Sequence, residues 1–432
     1  MERFIFEKLT EWKNSKDRKP LILQGARQVG KTWIMKEFGK RFFDNYVYFN
    51  FDEDNDLKEL FKVNKSAERL IERLSLVCGE DIKPEKTLII FDEIQECSDA
   101  LNSLKYFNEN AKEYCIISAG SLLGTLLAQP KSYPVGQVNK LNIYPLSFEE
   151  FLKATDETLY KCYQTIATKE ETFLESIFTT KFKEAYQNYL IVGGLPECVD
   201  SWIKYKDPKK VSEIQDELVT LYENDFGKHN GKVNSGRILM VFRNIVPQLS
   251  KENKKFIYGK VQEGARARDF EEAIEWLVSA GMINRVYQSS TPQYPLKGYD
   301  ELNAFKLYLF DTGLLKHMAG IDNASIVLEK DFQFKGALTE NFVLQQIKET
   351  FDVEPRYFTF GRYEIDFVVQ DGSEIYPIEV KSNTSVNSPS LKAYREKYQP
   401  VKSIRYSMLN YKDENSLINI PLYLVGKTKE LI

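Results

Sequence analysis

The eight residues GARQVGKT, Gly25 to Thr32, constrain this chain more than any other stretch. They fit the pattern G-x-x-x-x-G-K-[ST] and stand between an apolar run, PLILQG, and an amphipathic one, KTWIMKEFGKRF. A strand that turns into a helix through such a loop points its backbone N–H groups inward, where they cradle phosphate, and the helix N-terminus favours the negative charge. The glycines let the backbone wrap the β-phosphate. Lys31 can bridge the β- and γ-phosphates, and the Thr32 hydroxyl can ligate Mg²⁺. The pattern assigns nucleotide contacts to Gly25, Ala26, Arg27, Gln28, Val29, Gly30, Lys31, Thr32 and Trp33.

From Pro20 to about Pro145 short apolar runs alternate with amphipathic stretches. NYVYFNFD, TLIIFDEI and YCIISAGS read as further strands, and AERLIERLSLVCG as a helix with Leu70, Ile71, Leu74 and Val77 on its apolar face. This is the βαβ rhythm of a mostly parallel sheet covered by helices. In TLIIFDEI four apolar residues lead into Asp92 and Glu93. Asp92 is placed to hold Mg²⁺, directly or through water, and Glu93 to polarise an attacking water.

At 432 residues the chain is long enough for several domains. A net charge of −4 gives no global pull toward nucleic acid, so any such attraction is local. The five cysteines form no C-x-x-C pair, which favours reduced thiols in a cytoplasmic protein. Only two histidines occur, which argues against a His-based metal site or a Ser-His-Asp triad. The first residues are too charged for a signal peptide, and no run of about 18 apolar residues suggests a membrane span.

The phosphate loop, one intervening strand, a strand ending in Asp-Glu and then a polar strand end resemble the AAA+ type of P-loop ATPase. The resemblance implies ATP and Mg²⁺ as cofactors, Lys31 and Glu93 as catalytic residues, and Thr32 and Asp92 as metal ligands. It also implies a γ-phosphate sensor in SAGS, at Ser118 or Ser121. Ser147 to about Glu223 then resembles a helical lid, opening on SFEEFLKA with a capping-box pattern from Ser147 to Glu150. Within it, GGLP, Gly193 to Pro196, is either a loop brought near the nucleotide or a plain break between helices. Relatives often carry an arginine in the segment before PLSFEEF where this chain has Gln137. If that arginine is a transition-state finger, its loss costs roughly 10³-fold or more in rate unless another cation such as Arg27 or Lys140 substitutes.

The middle of the chain turns basic. Residues 228–268 hold six lysines and four arginines against two glutamates. Helical stretches there, followed by the strands INRVYQSS and AFKLYLFD, read as a winged helix-turn-helix. Lys254, Lys255, Lys260, Arg266 and Arg268 are the expected nucleic-acid contacts, with Arg266 and Arg268 opening the candidate recognition helix. Winged helices also mediate protein contacts, and both readings stay open.

From about Asp331 the pattern is α/β again, with strands in RYFTFGRYEIDFVVQDGSEIYPIEVKS, a helix in SPSLKAYREKY, and strands in SIRYSML and PLYLVG. Asp366 ends a hydrophobic strand. Glu379 and Lys381 flank Val380 and share a face. Glu340 sits on the upstream helix GALTENFV. The order helix-Glu, strand-Asp, hairpin, Glu-x-Lys resembles the PD-(D/E)XK nuclease superfamily. Asp366 and Glu379 would then bind a second divalent metal, Lys381 would orient water or stabilise charge, and Glu340 would order water or complete a further metal position.

The chain from end to end resembles a group of bacterial and archaeal ATPases that pair an AAA+ module with a C-terminal nuclease-like domain of unknown function. PLSFEEF, GGLPE, LFDTGLL, GALTENFV, EIDFVV and IEVKS occur in that group's order. The expected fold class is α/β: a parallel-sheet AAA+ P-loop core over 1–146, a helical lid over 147–226, a winged helix-like domain over 227–328 and a restriction-endonuclease-like α/β domain over 329–432. The expected function is Mg-dependent ATP binding and hydrolysis coupled to a DNA-binding C-terminal half. Whether that half cuts DNA, or is a silent switch or protein-interaction module, stays open. ATP and DNA are the expected partners, with no membrane, and a protein partner or homo-oligomer is a further reading.

Overall fold

Strands that must be buried on both faces need continuous apolar sequence, and two runs meet that demand. Both β3 (Thr87–Asp92) and β4 (Cys115–Ala119) are buried at every position, as the inner strands of a parallel sheet are. Flanking them are β1 (Leu21–Gln24), β2 (Asn45–Asn50) and β5 (Asn139–Asn142). All pairings are parallel, in the order β2-β3-β4-β1-β5. The edge strand β5 is only half covered and alternates with exposed residues. On the face of this sheet that carries Ile89 and Phe91, the core includes Phe51, Phe61, Leu70, Leu74 and Leu104. Val77, expected on the apolar face of its helix Ala67–Cys78, is 54% exposed. The buried stripe of that helix is Ala67, Leu70, Ile71 and Leu74, a face that Val77 lies just beyond.

This computed structural model describes the chain except residues 64–65, 121–135, 167–175, 230 and 385–386. Contacts divide it into two units, Met1–Tyr144 with Glu275–Met282, and Pro145–Ile274 with Ile283–Ile432. Among the described residues no helix is long and apolar enough to cross a membrane. All five cysteines are free thiols, with Cys97, Cys115 and Cys198 buried and Cys78 and Cys162 partly covered.

The second unit is built on an eight-stranded mixed sheet. Its strands are β6 (Ile283–Ser289), β7 (Asp300–Leu309), β8 (Arg356–Phe360), β9 (Tyr363–Asp371), β10 (Glu374–Val380), β11 (Ser403–Ser407), β12 (Lys412–Glu414) and β13 (Leu417–Pro421), in the order β12-β13-β11-β10-β9-β8-β6-β7. The hairpin β6–β7, expected as a wing, is therefore continuous with the strands of the C-terminal region through the parallel pair β6–β8. PLYLVG, expected as a strand, is instead a 3-10 helix, Leu422–Lys427, and the strand is the preceding LINIP. A short apolar run does not declare its period, and Pro421 ends the ladder by lacking an N–H.

The helices expected as a lid share a core with this sheet's helix Lys335–Phe351. Phe342 is fully buried and meets Phe148, Tyr186 and Tyr189 edge-on at ring-centroid distances of 6.2, 4.9 and 5.6 Å. Edge-to-face pairs add to what burial alone contributes. The capping box is present: Ser147 Oγ accepts from Glu150 N at 3.3 Å, and Ser147 N donates to Glu150 Oε2 at 3.1 Å. Gln346 Oε1 accepts the next helix-start donor, Phe148 N, at 2.8 Å.

Candidate functional site

Ligands in open parallel sheets bind beyond the carboxyl ends of the strands. Three of the candidate features stand there, at the ends of β1, β3 and β4. After β1 the chain enters GARQVGKT. Gly25 has φ +150°, and a Cβ on it would lie 2.2 Å from the Ile143 carbonyl oxygen, so no larger residue fits. Gln28 and Gly30 have φ of +64° and +91°, the left-handed turns that reverse backbone direction before helix Lys31–Phe42. Ala26 and Val29 are buried, Arg27 is half-buried and Trp33 is 41% exposed.

Lys31 is buried and donates from Nζ to the carbonyls of Gly25 at 2.9 Å and Ala26 at 2.7 Å. Burial pushes its ammonium down to about 8, against the opposing pull of Glu93 and Asp92. Thr32 Oγ1 donates to Asp92 Oδ2 at 2.6 Å, which joins the loop to the end of β3. The same carboxylate oxygen accepts from Tyr48 OH at 3.0 Å, and Asp92 Oδ1 accepts Glu93 N at 3.1 Å. Burial, then the Asp92 charge and hydrogen bond, raise the Tyr48 phenol well above its ordinary value. Glu93 adopts φ +49°, rare for a residue with a side chain and typical of functional positions. Its Oε2 accepts from Gln95 Nε2. At the end of β4, Ser118 is fully buried, level with Phe91 of β3 and Ile22 of β1, and its hydroxyl has no hydrogen-bond partner among the described residues. Ser121 lies outside the described residues. A hydroxyl and a carboxylate meeting beside a phosphate loop are the donors Mg²⁺ takes beside nucleotide phosphates, so Thr32 and Asp92 fit that ion.

Two residues went unread in the sequence. Arg3 is 6% exposed and donates to Val29 O at 3.1 Å and Tyr144 O at 2.7 Å, tying the phosphate loop to the segment after β5. A charge inside the apolar run MERFIF was the available signal. Tyr48 was legible only through the strand alternation that puts it on the face of Asn50, which pairs with Asp92. Gln137 precedes β5 and so stands at the amino ends of the strands, away from the phosphate loop, where it accepts from Asn108 Nδ2. A side chain there does not reach a phosphate held at the carboxyl ends of its own sheet, so Gln137 removes no finger from this chain's own site.

GGLP is a break between helices Ser176–Val192 and Pro196–Tyr205. Its polar groups turn to its own unit: Gly194 N donates to Asp311 Oδ2 at 2.7 Å, and Leu146 N to Gly194 O at 2.7 Å.

In the second unit the nuclease-like residues make two sets of contacts, joined where Val380 N donates to Asp366 Oδ2. Glu340 is buried. Its Oε1 pairs with Lys254 Nζ at 2.5 Å and its Oε2 accepts from Tyr308 OH at 2.8 Å. Burial would raise the Glu340 carboxyl, yet Lys254 and Lys306 hold it below the usual range. Burial and the Glu340 charge push Asp366 up to about 7, despite Val380 N donating to its Oδ2 at 2.8 Å. The second set is the 2.6 Å ion pair of Glu379 with Lys381, in which Glu379 Oε2 is buried and has no hydrogen-bond partner among the described residues. Lys306 is wholly buried and pairs with Glu364 at 2.6 Å, two residues before Asp366 on the same strand. Among the described residues no group of three or more His, Cys, Asp or Glu side chains comes together to hold a metal. With the Lys254 ammonium already paired to Glu340 Oε1, this arrangement does not fit a divalent ion.

Of the five expected nucleic-acid contacts, Lys260, Arg266 and Arg268 are exposed, Lys255 is half-buried, and Lys254, also half-buried, is the partner of Glu340. Arg266 and Arg268 flank the start of helix Ala267–Ser279, where Arg266 N donates to Asp269 Oδ2 at 2.8 Å.

The parallel sheet and its phosphate loop define a P-loop nucleotide-binding core, and the comparisons with known proteins agree. Residues 17–152 match the family model described as an AAA domain. Residues 183–325 and 335–423 match two domains of unknown function, DUF8612 and DUF4143. An uncharacterized protein of Methanocaldococcus jannaschii, MJ1544, is 25% identical over 411 residues, covering 91% of this chain and 82% of its own. Among solved structures, the Walker-type ATPase PABY2304 of Pyrococcus abyssi is similar with a TM-score of 0.46 and 15% identity, over 72% of this chain and 94% of that one. The Aeropyrum pernix ORC1 protein in complex with DNA is similar with a TM-score of 0.27 and 13% identity, over 75% of this chain and 92% of that one.

Proposed function

We propose that the chain binds and hydrolyses ATP with Mg²⁺ and that its C-terminal half binds DNA. The observation that carries the first part is the 2.6 Å hydrogen bond from Thr32 to Asp92, which brings the phosphate loop and the acidic strand end together. Loop N–H groups hold the β-phosphate. Lys31 exchanges its two carbonyl partners for phosphate oxygens, where its charge is stronger in the anion's field. Thr32 and Asp92 would hold Mg²⁺, which when bound would neutralise phosphate charge. Glu93 orients a water and takes its proton as the water oxygen bonds to the γ-phosphorus and the bond to the bridging oxygen breaks. Ser118, whose hydroxyl at the neighbouring strand end has no partner among the described residues, is the favoured γ-phosphate sensor.

The DNA reading rests on exposed Arg266 and Arg268 at the start of helix Ala267–Ser279, with exposed Lys260 in the short helix before it, and helix starts are where phosphate contacts are commonly made. The pairing of Glu340 with Lys254 favours a nuclease-like centre that is silent as it stands. Glu93→Gln is expected to retain ATP binding and lose hydrolysis by about 10²–10⁴-fold, the usual worth of a general base. DNA affinity is expected to fall steeply with salt, with the slope reduced in Arg266→Ala/Arg268→Ala because fewer counterions are released. Unchanged hydrolysis in Glu93→Gln, or salt-independent DNA affinity, refutes the corresponding half.

A further inference from the structure

We propose that Lys254 is an internal cation that closes the C-terminal carboxylate centre, occupying on Glu340 the place a divalent metal ion would need. The inference rests on the reading of Glu340, Asp366, Glu379 and Lys381 as one nuclease-like centre. Lys254 is not one of that pattern's residues. It comes from the loop after helix Gly231–Leu249, more than eighty residues before Glu340.

The loop is fastened so as to deliver it. Phe256 N donates to Phe305 O at 2.9 Å, and the two rings stack at 5.6 Å with 16° between planes. That fixes the chain beside β7 two residues after Lys254. Lys254 itself has φ +50°, a conformation that costs a residue with a Cβ and persists only where surroundings impose it. From there its ammonium reaches Glu340 Oε1 at 2.5 Å. β7 adds Tyr308, which takes Glu340 Oε2 at 2.8 Å, and Lys306, which takes Glu364.

A hard divalent ion needs oxygen ligands whose lone pairs are open toward it. Here Glu340 Oε1 already faces the Lys254 ammonium, while Oε2 accepts from the neutral Tyr308 hydroxyl. A second cation brought beside that half-buried ammonium would be repelled strongly where little water screens the charges. The ammonium thus does for the buried carboxylate what the metal would do, without being able to activate water. Among the described residues Glu379 Oε2 is buried with no hydrogen-bond partner, a candidate ligand oxygen with an unmet need.

The test is Mn²⁺ binding by the full chain, read as free Mn²⁺ by paramagnetic resonance, on an Asp92→Asn background that removes the nucleotide-site ligand. Lys254→Gln, which still donates a hydrogen bond to Glu340, and Lys254→Arg, which keeps the charge, are compared with the Asp92→Asn parent. The proposal expects Lys254→Gln to bind Mn²⁺ at least ~10-fold more tightly than the parent, a gain of one decade in affinity, with the gain lost on adding Asp366→Asn. Lys254→Arg is expected to behave as the parent. Melting with and without Mn²⁺ is measured alongside, so that a weakened Lys254→Gln protein still reports binding as a rise in Tm absent from the parent. Equal, Asp366-dependent binding in the parent and in Lys254→Gln overturns the closure and leaves the centre standing. Absence of Asp366-dependent binding in every variant overturns the centre and the closure together.

Discussion

Asp311 shows how much one side chain can organise. It is fully buried, caps helix Thr312–Met318 by accepting Leu314 N at 2.9 Å, and accepts Gly194 N at 2.7 Å. A Cβ on Gly193 would lie 2.2 Å from its Oδ1, so GGLP and LFDTGLL, 117 residues apart across that hydrogen bond, need glycine for the same contact. Burial pushes its carboxyl up to about 6, even with backbone N–H groups pulling the other way. The unfolded carboxyl titrates near ~3.9. Between those values the folded chain binds more protons than the unfolded one, so this group's contribution to stability falls as pH rises through the window. Urea unfolding from pH 4 to 6.5 is expected to show a wild-type decline that Asp311→Asn lacks, worth up to about 3 kcal/mol for a two-unit shift. Matching pH slopes in the two proteins contradict this. The sequence displayed both motifs but not their junction, because contacts between distant segments leave no local period to read.

At the scale of elements, the strongly patterned pieces were legible and the ambiguous ones were not. TLIIFDEI and the loop GARQVGKT announce themselves because continuous apolar runs and an obligatory glycine turn have few structural alternatives. The capping box at Ser147 was equally direct. PLYLVG misled because its apolar run suits a strand or a buried helical turn alike. The expectation at Gln137 came from relatives that carry an arginine there, and the parallel register of β5 with β1 puts the residue at the end of the sheet away from the phosphate loop. The helix holding Arg3's neighbours shows the converse, a functional contribution hidden in an ordinary amphipathic element. Arg3 makes two hydrogen bonds to loop carbonyls, on Val29 and Tyr144, and hydrogen bonds to charged groups are worth about 1.5–3 kcal/mol. If most of one such bond acts on the loop's ordering, Arg3→Ala weakens ATP binding by about 10-fold. The fold, read by circular dichroism, should remain. Unchanged ATP affinity with intact structure would show that the loop holds its shape without Arg3.

Over the whole molecule, the domain plan written in the sequence and the cores in the structure follow different lines. The helices after Pro145 join Phe148, Tyr186 and Tyr189 to Phe342, and the β6–β7 hairpin joins the C-terminal sheet through β8. Motif order along a chain does not reveal which segments share a core, since burial depends on which faces meet. The nuclease-like signature was legible as residues, while the ammonium set against Glu340 was not, because Lys254 sits in a run that reads as solvated and basic. The central claim concerns the first unit: that Thr32 and Asp92 form one Mg²⁺-assisted ATP site. The measurement that tests it most directly is ATP affinity with and without Mg²⁺, by fluorescent-nucleotide titration, in wild type and Asp92→Asn. Strengthening of ATP binding by Mg²⁺ in wild type, lost in Asp92→Asn, is the predicted result. Equal Mg²⁺ dependence in both proteins, or no ATP binding by wild type, contradicts the account.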